Sequence, residues 1–107
     1  YLNQYSTQKI MAIKKQFLKS KPVCKVTFQI ESPEAQTAQV IGSFNDWNEP
    51  VELKKQKGGV FKNTIELPAN NSFEFRYLLD GTYVNDQEAD GFQWSDYAGD
   101  YNSVLAV

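Results

Sequence analysis

The chain has 107 residues, which fits one domain and leaves too little sequence for a second hydrophobic core. Its formal net charge at pH 7 is −2, and this acidic balance, without a basic sheet face, argues against nucleic-acid binding. No apolar run is long enough to span a membrane, so we predict no membrane partner. The aromatic share is high, with seven Phe, six Tyr and two Trp.

The first predicted element is a short amphipathic helix from Ser6 to Leu18. Lysines separate apolar residues that recur at helical spacing, namely Ile10, Ile13, Phe17 and Leu18. Lys21 precedes Pro22 and is therefore pushed out of the helical region, which ends the helix. We accordingly divide the chain into a helical extension, residues 1–21, and a second unit, residues 22–107.

From Val23 onward the apolar residues recur with a period of two, which predicts strands. The stronger predictions are Val23 to Glu31, Ala38 to Gly42, Val60 to Leu67, Ser72 to Leu79 and Asn102 to Val107, and the weaker ones are Val51 to Lys55 and Thr82 to Asn85. Turn signals rich in Gly, Pro and Asn separate these runs. About seven short strands at this spacing predict an all-β domain, an immunoglobulin-like antiparallel β-sandwich preceded by the short helix.

Alternation assigns faces within the predicted strands. In Ser72 to Leu79 the core row is Phe73, Phe75, Tyr77 and Leu79, and the other face carries Glu74, Arg76 and Leu78. In the last strand Asn102 and Ser103 are neighbours, so they cannot both point inward.

Cys24 is the one cysteine of the chain, and it alternates with the apolar residues of its strand. We interpret it as a small buried hydrophobe, because the sequence contains no His to act as a catalytic partner. A single cysteine cannot form an internal disulfide and gives no sign of an oxidising compartment. We therefore predict a cytoplasmic location.

In the segment from Asp86 to Tyr101 the apolar residues recur with neither the helical nor the strand period, and we predict a long loop. Its aromatic residues Phe92, Trp94, Tyr97 and Tyr101 lie among five acids. Asp86 to Gly91 imitates the first half of an EF-hand loop, but position twelve is Tyr97 where a Glu is needed, so we predict no metal and no cofactor.

The stretch from Gly42 to Asn48 places Trp47 in a polar turn directly after a predicted strand. An indole face can stack on the apolar face of a sugar ring while neighbouring amides hydrogen-bond its hydroxyls. The alternative is that Trp47 packs on the edge of the domain and holds the turn. The residues alone leave both interpretations open.

Five blocks of the sequence resemble a known family in order and spacing. They are Val40 to Asn48, Gly58 to Phe61, Ile65 to Pro68, Phe75 to Tyr83 and Asn102 to Leu105. The family is the isoamylase N-terminal or early-set domain, which includes the glycogen-binding domain of the AMP-activated kinase beta subunit. The resemblance covers roughly Val23 to Val107. It implies a β-sandwich that binds α-glucans such as glycogen, starch or maltooligosaccharides without hydrolysing them.

Carried over position by position, the resemblance implies four carbohydrate-binding residues. Trp47 matches the stacking Trp of the family, and Tyr83 falls where binding members have a second stacking Trp. Arg76 matches a basic residue, often Lys, that contacts sugar hydroxyls, and Asn102 matches an Asn that hydrogen-bonds the glucan. Tyr83 has a smaller ring than Trp, and Arg76 has a different donor geometry from Lys. Both differences predict a weaker glucan affinity than in the binding members, or an altered glucan preference. The loop before Asn102 is longer than in the kinase subunit, so Trp94 or Tyr97 is a candidate for an extra platform.

Two other classes of function remain as alternatives. A regulatory or scaffolding domain would keep the fold and contact a protein, either a glucan-metabolising enzyme or a second copy of the chain, through the N-terminal helix. An enzyme would need a carboxylate pair such as Asp80 and Asp86. The catalytic barrel of the related enzymes requires about 250 residues, however, and Asp80-Gly81 is more simply a hairpin turn. We therefore predict no catalytic residues and an α-glucan polysaccharide as the partner.

Overall fold

The computed structural model describes residues 10–107, which form nine strands and no α-helix. The strands are β1 (Ile10–Phe17), β2 (Val23–Glu31), β3 (Ala38–Gly42), β4 (Val51–Lys55), β5 (Val60–Pro68), β6 (Ser72–Leu79), β7 (Thr82–Val84), β8 (Gly91–Ser95) and β9 (Asp100–Ala106). Short 3₁₀ turns follow β3 at Ser43–Asn45 and precede β5 at Lys57–Gly59. Across residues 10–107, no helix is long and apolar enough to cross a bilayer.

The all-β, antiparallel character predicted from the period of two is confirmed. The bounds of β2, β3, β4 and β6 coincide with the predicted runs, and β5, β7 and β9 differ from theirs by one or two residues. Asp80-Gly81 joins β6 to β7, and both residues have positive φ, 50° and 83°. This is the pattern of a type I′ two-residue hairpin, in agreement with the turn predicted there.

The predicted N-terminal helix is wrong for the part that the structure describes. β1 pairs antiparallel with β2 along its length, from Met11 opposite Ile30 to Phe17 opposite Cys24. Ile13 packs against the core while its neighbour Lys14 is exposed, which is the alternation of a strand. A spacing of four, as between Ile13 and Phe17, fits a helical turn and a strand equally well, and pairing with β2 decides between them. Residues 6–9 of the predicted helix lie outside the described range.

The long loop predicted from Asp86 to Tyr101 is also wrong, because β8 lies inside it and β9 begins at Asp100. The two strands form a hairpin in which Trp94 stands opposite Tyr101. Phe92 and Trp94 alternate with Gln93, which was a strand signal, but all three side chains are exposed. Since no buried face accompanied the alternation, the acidic residues around it favoured a loop.

The described strands make one continuous antiparallel sheet in the order β1-β2-β5-β4-β3-β6-β9-β8, with β7 attached to β6. The sheet is continuous because β4 pairs with both β3 and β5. It curls, since the Phe28 ring of β2 lies 5.3 Å from the Phe75 ring of β6, although these strands are not neighbours. An ion pair of 2.7 Å between Lys15 and Asp90 links β1 to the residue before β8.

The core lies between the facing parts of the curled sheet. Its fully buried aromatic rings are Phe28, Phe61, Phe75 and Tyr77. Each such ring contributes about 1.5–3 kcal/mol of transfer free energy. Cys24 is buried among them, as predicted. On β6 the predicted core row faces inward, so Glu74 and Arg76 project from the opposite face of the sheet, where the candidate site lies.

Candidate functional site

The outer face of β6 and β9 carries a short chain of hydrogen bonds. Arg76 Nε donates to Asn102 Oδ1 at 2.7 Å, and Asn102 Nδ2 donates to Glu74 Oε1 at 3.0 Å. Phe75 stands opposite Ser103, which places Arg76 and Asn102 next to each other on adjacent strands. Asn102 and Ser103 are both buried but on opposite sides of the sheet, as their adjacency in the strand requires.

Tyr83 is brought over this face by the β6–β7 hairpin. It stands opposite Leu78, on the side of the sheet that carries Arg76. The central guanidinium carbon of Arg76 lies 5.6 Å from the centroid of the Tyr83 ring, within range of a cation–π contact. The ring itself is 55% exposed, so a surface remains for a ligand.

Arg76 is 8% exposed, and its guanidinium has N–H donors that are not used within the fold. Its Nη2 atom is buried and has no hydrogen-bond partner among residues 10–107. Leaving a buried charged donor unpaired costs free energy, and this cost is recovered if a ligand oxygen accepts the bond. Asn102 thus fixes the guanidinium through Nε, and a ligand oxygen can pair with the buried Nη2 only after neighbouring side chains shift.

The turn that presents Trp47 is held against β6 by close backbone contacts. A Cβ added to Gly42 would lie 2.4 Å from the carbonyl oxygen of Glu74. This clash excludes residues other than glycine at the end of β3. The Ser43 hydroxyl accepts a hydrogen bond of 3.0 Å from the Glu74 N–H. Trp47 N–H donates to the Gly42 carbonyl at 2.9 Å and closes the turn.

Trp47 itself adopts an unfavourable backbone conformation. Asp46 and Trp47 both have left-handed φ angles, 55° and 56°, which bulky L-residues rarely adopt. The anchor of the turn is Phe44, which packs 6.1 Å from the Phe28 ring, whereas Trp47 remains 39% exposed. Trp47 therefore combines a left-handed backbone with a partly exposed indole, a combination that occurs at functional sites.

These elements surround a cleft of about 750 Å³, a volume typical of small-molecule sites. All four residues implied by the resemblance line it, namely Trp47, Arg76, Tyr83 and Asn102. Sequence reasoning did not place Glu74 or Asp46 in the site, although both line the cleft. The signal for Asp46 was its adjacency to Trp47, and the signal for Glu74 was its position two residues before Arg76 on the same strand face.

The turn between β8 and β9 forms one wall of the cleft. Of the two candidates for an extra platform, Tyr97 lines the cleft and is fully exposed, whereas Trp94 projects from the other face of the hairpin. The turn is ordered by a bond of 2.8 Å from Gly99 N–H to the Ser95 carbonyl, with Gly99 at a φ of 67°. An aromatic side chain without internal packing on an ordered turn is available to a ligand.

Neither carboxylate of the alternative catalytic pair lines this cleft. Asp80 accepts hydrogen bonds from the N–H groups of Thr37 and Gln36, which lower its pKa. Asp86 is buried beneath the sheet and accepts a bond of 2.6 Å from the Tyr77 hydroxyl. Both side chains therefore serve the fold, and the arrangement at the cleft suits binding more than acid–base chemistry.

A family model described as the glycogen recognition site of AMP-activated protein kinase matches residues 24–107. The chain belongs to this family. Membership in the glycogen-recognition family confirms the similarity to the kinase beta subunit predicted for Val23 to Val107. It implies carbohydrate binding in general and points to a non-catalytic domain.

The fold of this chain also resembles a solved structure. The crystal structure of enterochelin esterase from Shigella flexneri matches 99% of the chain with a TM-score of 0.63 and 15% sequence identity. The chain spans 35% of that structure's length. At this identity the likeness concerns the fold alone.

Proposed function

We propose that the chain binds α-glucans at the cleft without hydrolysing them. Trp47 and Tyr83 stack on sugar rings, while Arg76 and Asn102 hydrogen-bond hydroxyl groups. The supporting observation is that these four residues, chosen from the resemblance, come from the turn after β3 and from β6, β7 and β9 and line one cleft. Glycogen, starch and maltooligosaccharides are the ligands that this arrangement suits.

The polar floor of the cleft fits a neutral ligand rich in hydroxyl groups. The Arg76 guanidinium supplies donors for sugar oxygens, and the Glu74 carboxylate supplies acceptors for hydroxyl protons. Because Asn102 bonds both side chains, their positions are set before the ligand arrives, which reduces the entropy lost on binding. Stacking on single rings gives modest affinity, so polymers with many equivalent sites are favoured over monosaccharides.

The same proposal includes the type of fold and the division of the chain. We regard the curled sheet as an immunoglobulin-like β-sandwich, because β2 and β6 pack ring against ring across the core. Residues 22–107 are the proposed binding module. Residues 1–21 are an extension whose strand β1 completes one edge of the sheet. A cytoplasmic location and a glucan-metabolising partner remain predictions.

Affinity electrophoresis tests the proposal directly. We expect glycogen or soluble starch in the gel to retard the wild-type protein, and Trp47→Ala to recover most of the free mobility. Losing a central aromatic platform should raise the apparent dissociation constant roughly 10-fold or more. Phe17→Ala is a matched control, because Phe17 is an exposed aromatic that does not line the cleft. Equal mobility of the wild type with and without polymer, or unchanged retardation of Trp47→Ala, would contradict the proposal.

A further inference from the structure

The β8–β9 hairpin carries a second set of exposed aromatic side chains on the face opposite the cleft. Gln93 stands opposite Asn102, which lines the cleft, whereas Trp94 stands opposite Tyr101 and Phe92 opposite the buried Ser103. Phe92, Trp94 and Tyr101 therefore share the other face. We call these three residues the reverse-face row. They are 51%, 49% and 51% exposed, respectively.

Hydrogen bonds and ring packing fix the orientation of this row. The Trp94 indole N–H donates to Asp96 Oδ1 at 2.8 Å, and its ring meets the Tyr101 ring edge to face at 5.1 Å and 77°. Asn85 Nδ2 donates to the Tyr101 carbonyl at 2.7 Å and ties the row to the segment after β7. Trp94 and Tyr101 are held in this way, and with the half-exposed Phe92 beside them they form an apolar surface of the kind that often marks a binding site.

The charge around the row selects the chemistry of its ligand. The hairpin that carries the row has two acids, Asp96 and Asp100, and no basic side chain, so anionic ligands are repelled. A neutral ligand with hydroxyl donors and flat apolar faces matches both the carboxylates and the rings. Carbohydrate has this chemistry, and nucleic acids and acidic lipids do not.

We propose that the reverse-face row is a second α-glucan platform, separate from the cleft. The inference rests on the proposed function, because it takes the ligand class from the cleft. The two sites lie on opposite faces of one hairpin, so a branched polymer can occupy both at once. Simultaneous occupancy strengthens the retention of polymers far more than the binding of short oligosaccharides.

The two tryptophans allow each site to be observed alone, since the chain contains no others. Trp47→Ala leaves Trp94 as the fluorophore of the row, and Trp94→Ala leaves Trp47 as the fluorophore of the cleft. We expect maltoheptaose to change the emission of both variants along saturable curves. On glycogen, Trp94→Ala should bind about 3- to 10-fold more weakly than the wild type, and the double variant should run as free protein. Trp94→Phe keeps an aromatic ring and should retain most of the retardation.

Each other outcome identifies what has failed. If maltoheptaose changes the emission of Trp94→Ala but not that of Trp47→Ala, the second platform is overturned and the cleft stands. If it changes neither, the proposed function fails together with this inference. If Trp94 emission in Trp47→Ala follows protein concentration instead of sugar concentration, the row is a contact between copies of the chain and the inference is overturned. Equal thermal midpoints for all variants exclude unfolding as the cause.

Discussion

Behind the cleft, Asp86 connects the segment after β7 to the core. Its carboxylate accepts hydrogen bonds from the Tyr77 hydroxyl at 2.6 Å and the Glu88 N–H at 2.8 Å, and its own N–H donates to the Ser103 hydroxyl at 2.9 Å. Burial raises the pKa of Asp86, and the bonds from Tyr77 and Glu88 offset only part of this effect. Folding therefore shifts the titration of Asp86 to higher pH than in the unfolded chain.

This raised pKa predicts how stability depends on pH. The contribution of Asp86 is fully present below the unfolded-state pKa of about 3.9 and is lost as pH rises through the higher folded-state pKa. Asp86→Asn removes the titrating carboxyl group but keeps an amide oxygen that can accept the hydrogen bond from the Tyr77 hydroxyl. We expect the stability of the wild type relative to Asp86→Asn, measured by urea unfolding, to fall as pH rises from about 4 toward 7.

Asp80 provides a control of opposite sign. The N–H groups of Thr37 and Gln36 lower its pKa, so its contribution is present above about pH 3.9 and is lost as pH falls through the folded-state pKa. The wild type should therefore lose stability relative to Asp80→Asn in acid. Parallel pH profiles for the wild type and Asp86→Asn would contradict the assigned role of Asp86.

At the residue scale, the sequence was most informative where local alternation and the family blocks applied to the same strand. The face of Arg76 followed from alternation, and the candidate role of Trp47 followed from its motif. Alternation also gave the face of Glu74, and the long loop made Tyr97 a candidate platform, but neither signal placed these two residues at one cleft. Their places in the cleft depend on the register of β6 against β9 and on the conformation of the β8–β9 turn, which join segments far apart in the chain.

At the element scale, the two failures of prediction have different physical causes. β1 was assigned to a helix because a spacing of four residues suits both periods, and only its pairing with β2 separates them. β8 was assigned to a loop because it is an edge strand with exposed side chains, so burial does not impose a polar and an apolar face on its sequence. Strands with one buried face, such as β2 and β6, were predicted with their observed bounds.

Paired substitutions in β1 test its assignment as a strand. Ile13 packs against the core, and its neighbour Lys14 is exposed on the other face. Ile13→Ala should lower the free energy of unfolding by roughly 1–3 kcal/mol, because it removes partly buried methyl groups. Lys14→Ala should change it by less than about 0.5 kcal/mol. Chemical denaturation measures both values, and equal effects of the two substitutions would argue against a strand with one inward face.

At the scale of the whole molecule, the strand order of the sheet creates the candidate site. The turn after β3 meets strands β6, β7 and β9 on one outer face of the sheet. In the sequence, β4 and β5 separate this turn from β6. The opposite side of the same sheet holds the core, so the cleft rests on fully buried rings such as Phe75 and Tyr77. This rigid support favours a binding surface that changes little when a ligand arrives.

The central claim is that the cleft binds an α-glucan, and amide chemical-shift mapping of the full chain with maltoheptaose tests it most directly. We predict that the amides of Gly42 to Asn48, Arg76, Tyr83 and Asn102 shift together along one saturable curve. The amide of Thr27, on the outer face of β2, should not move. Two results would contradict the account. Either maltoheptaose shifts amides elsewhere in the chain but not those of the cleft, or it shifts no amides at any concentration.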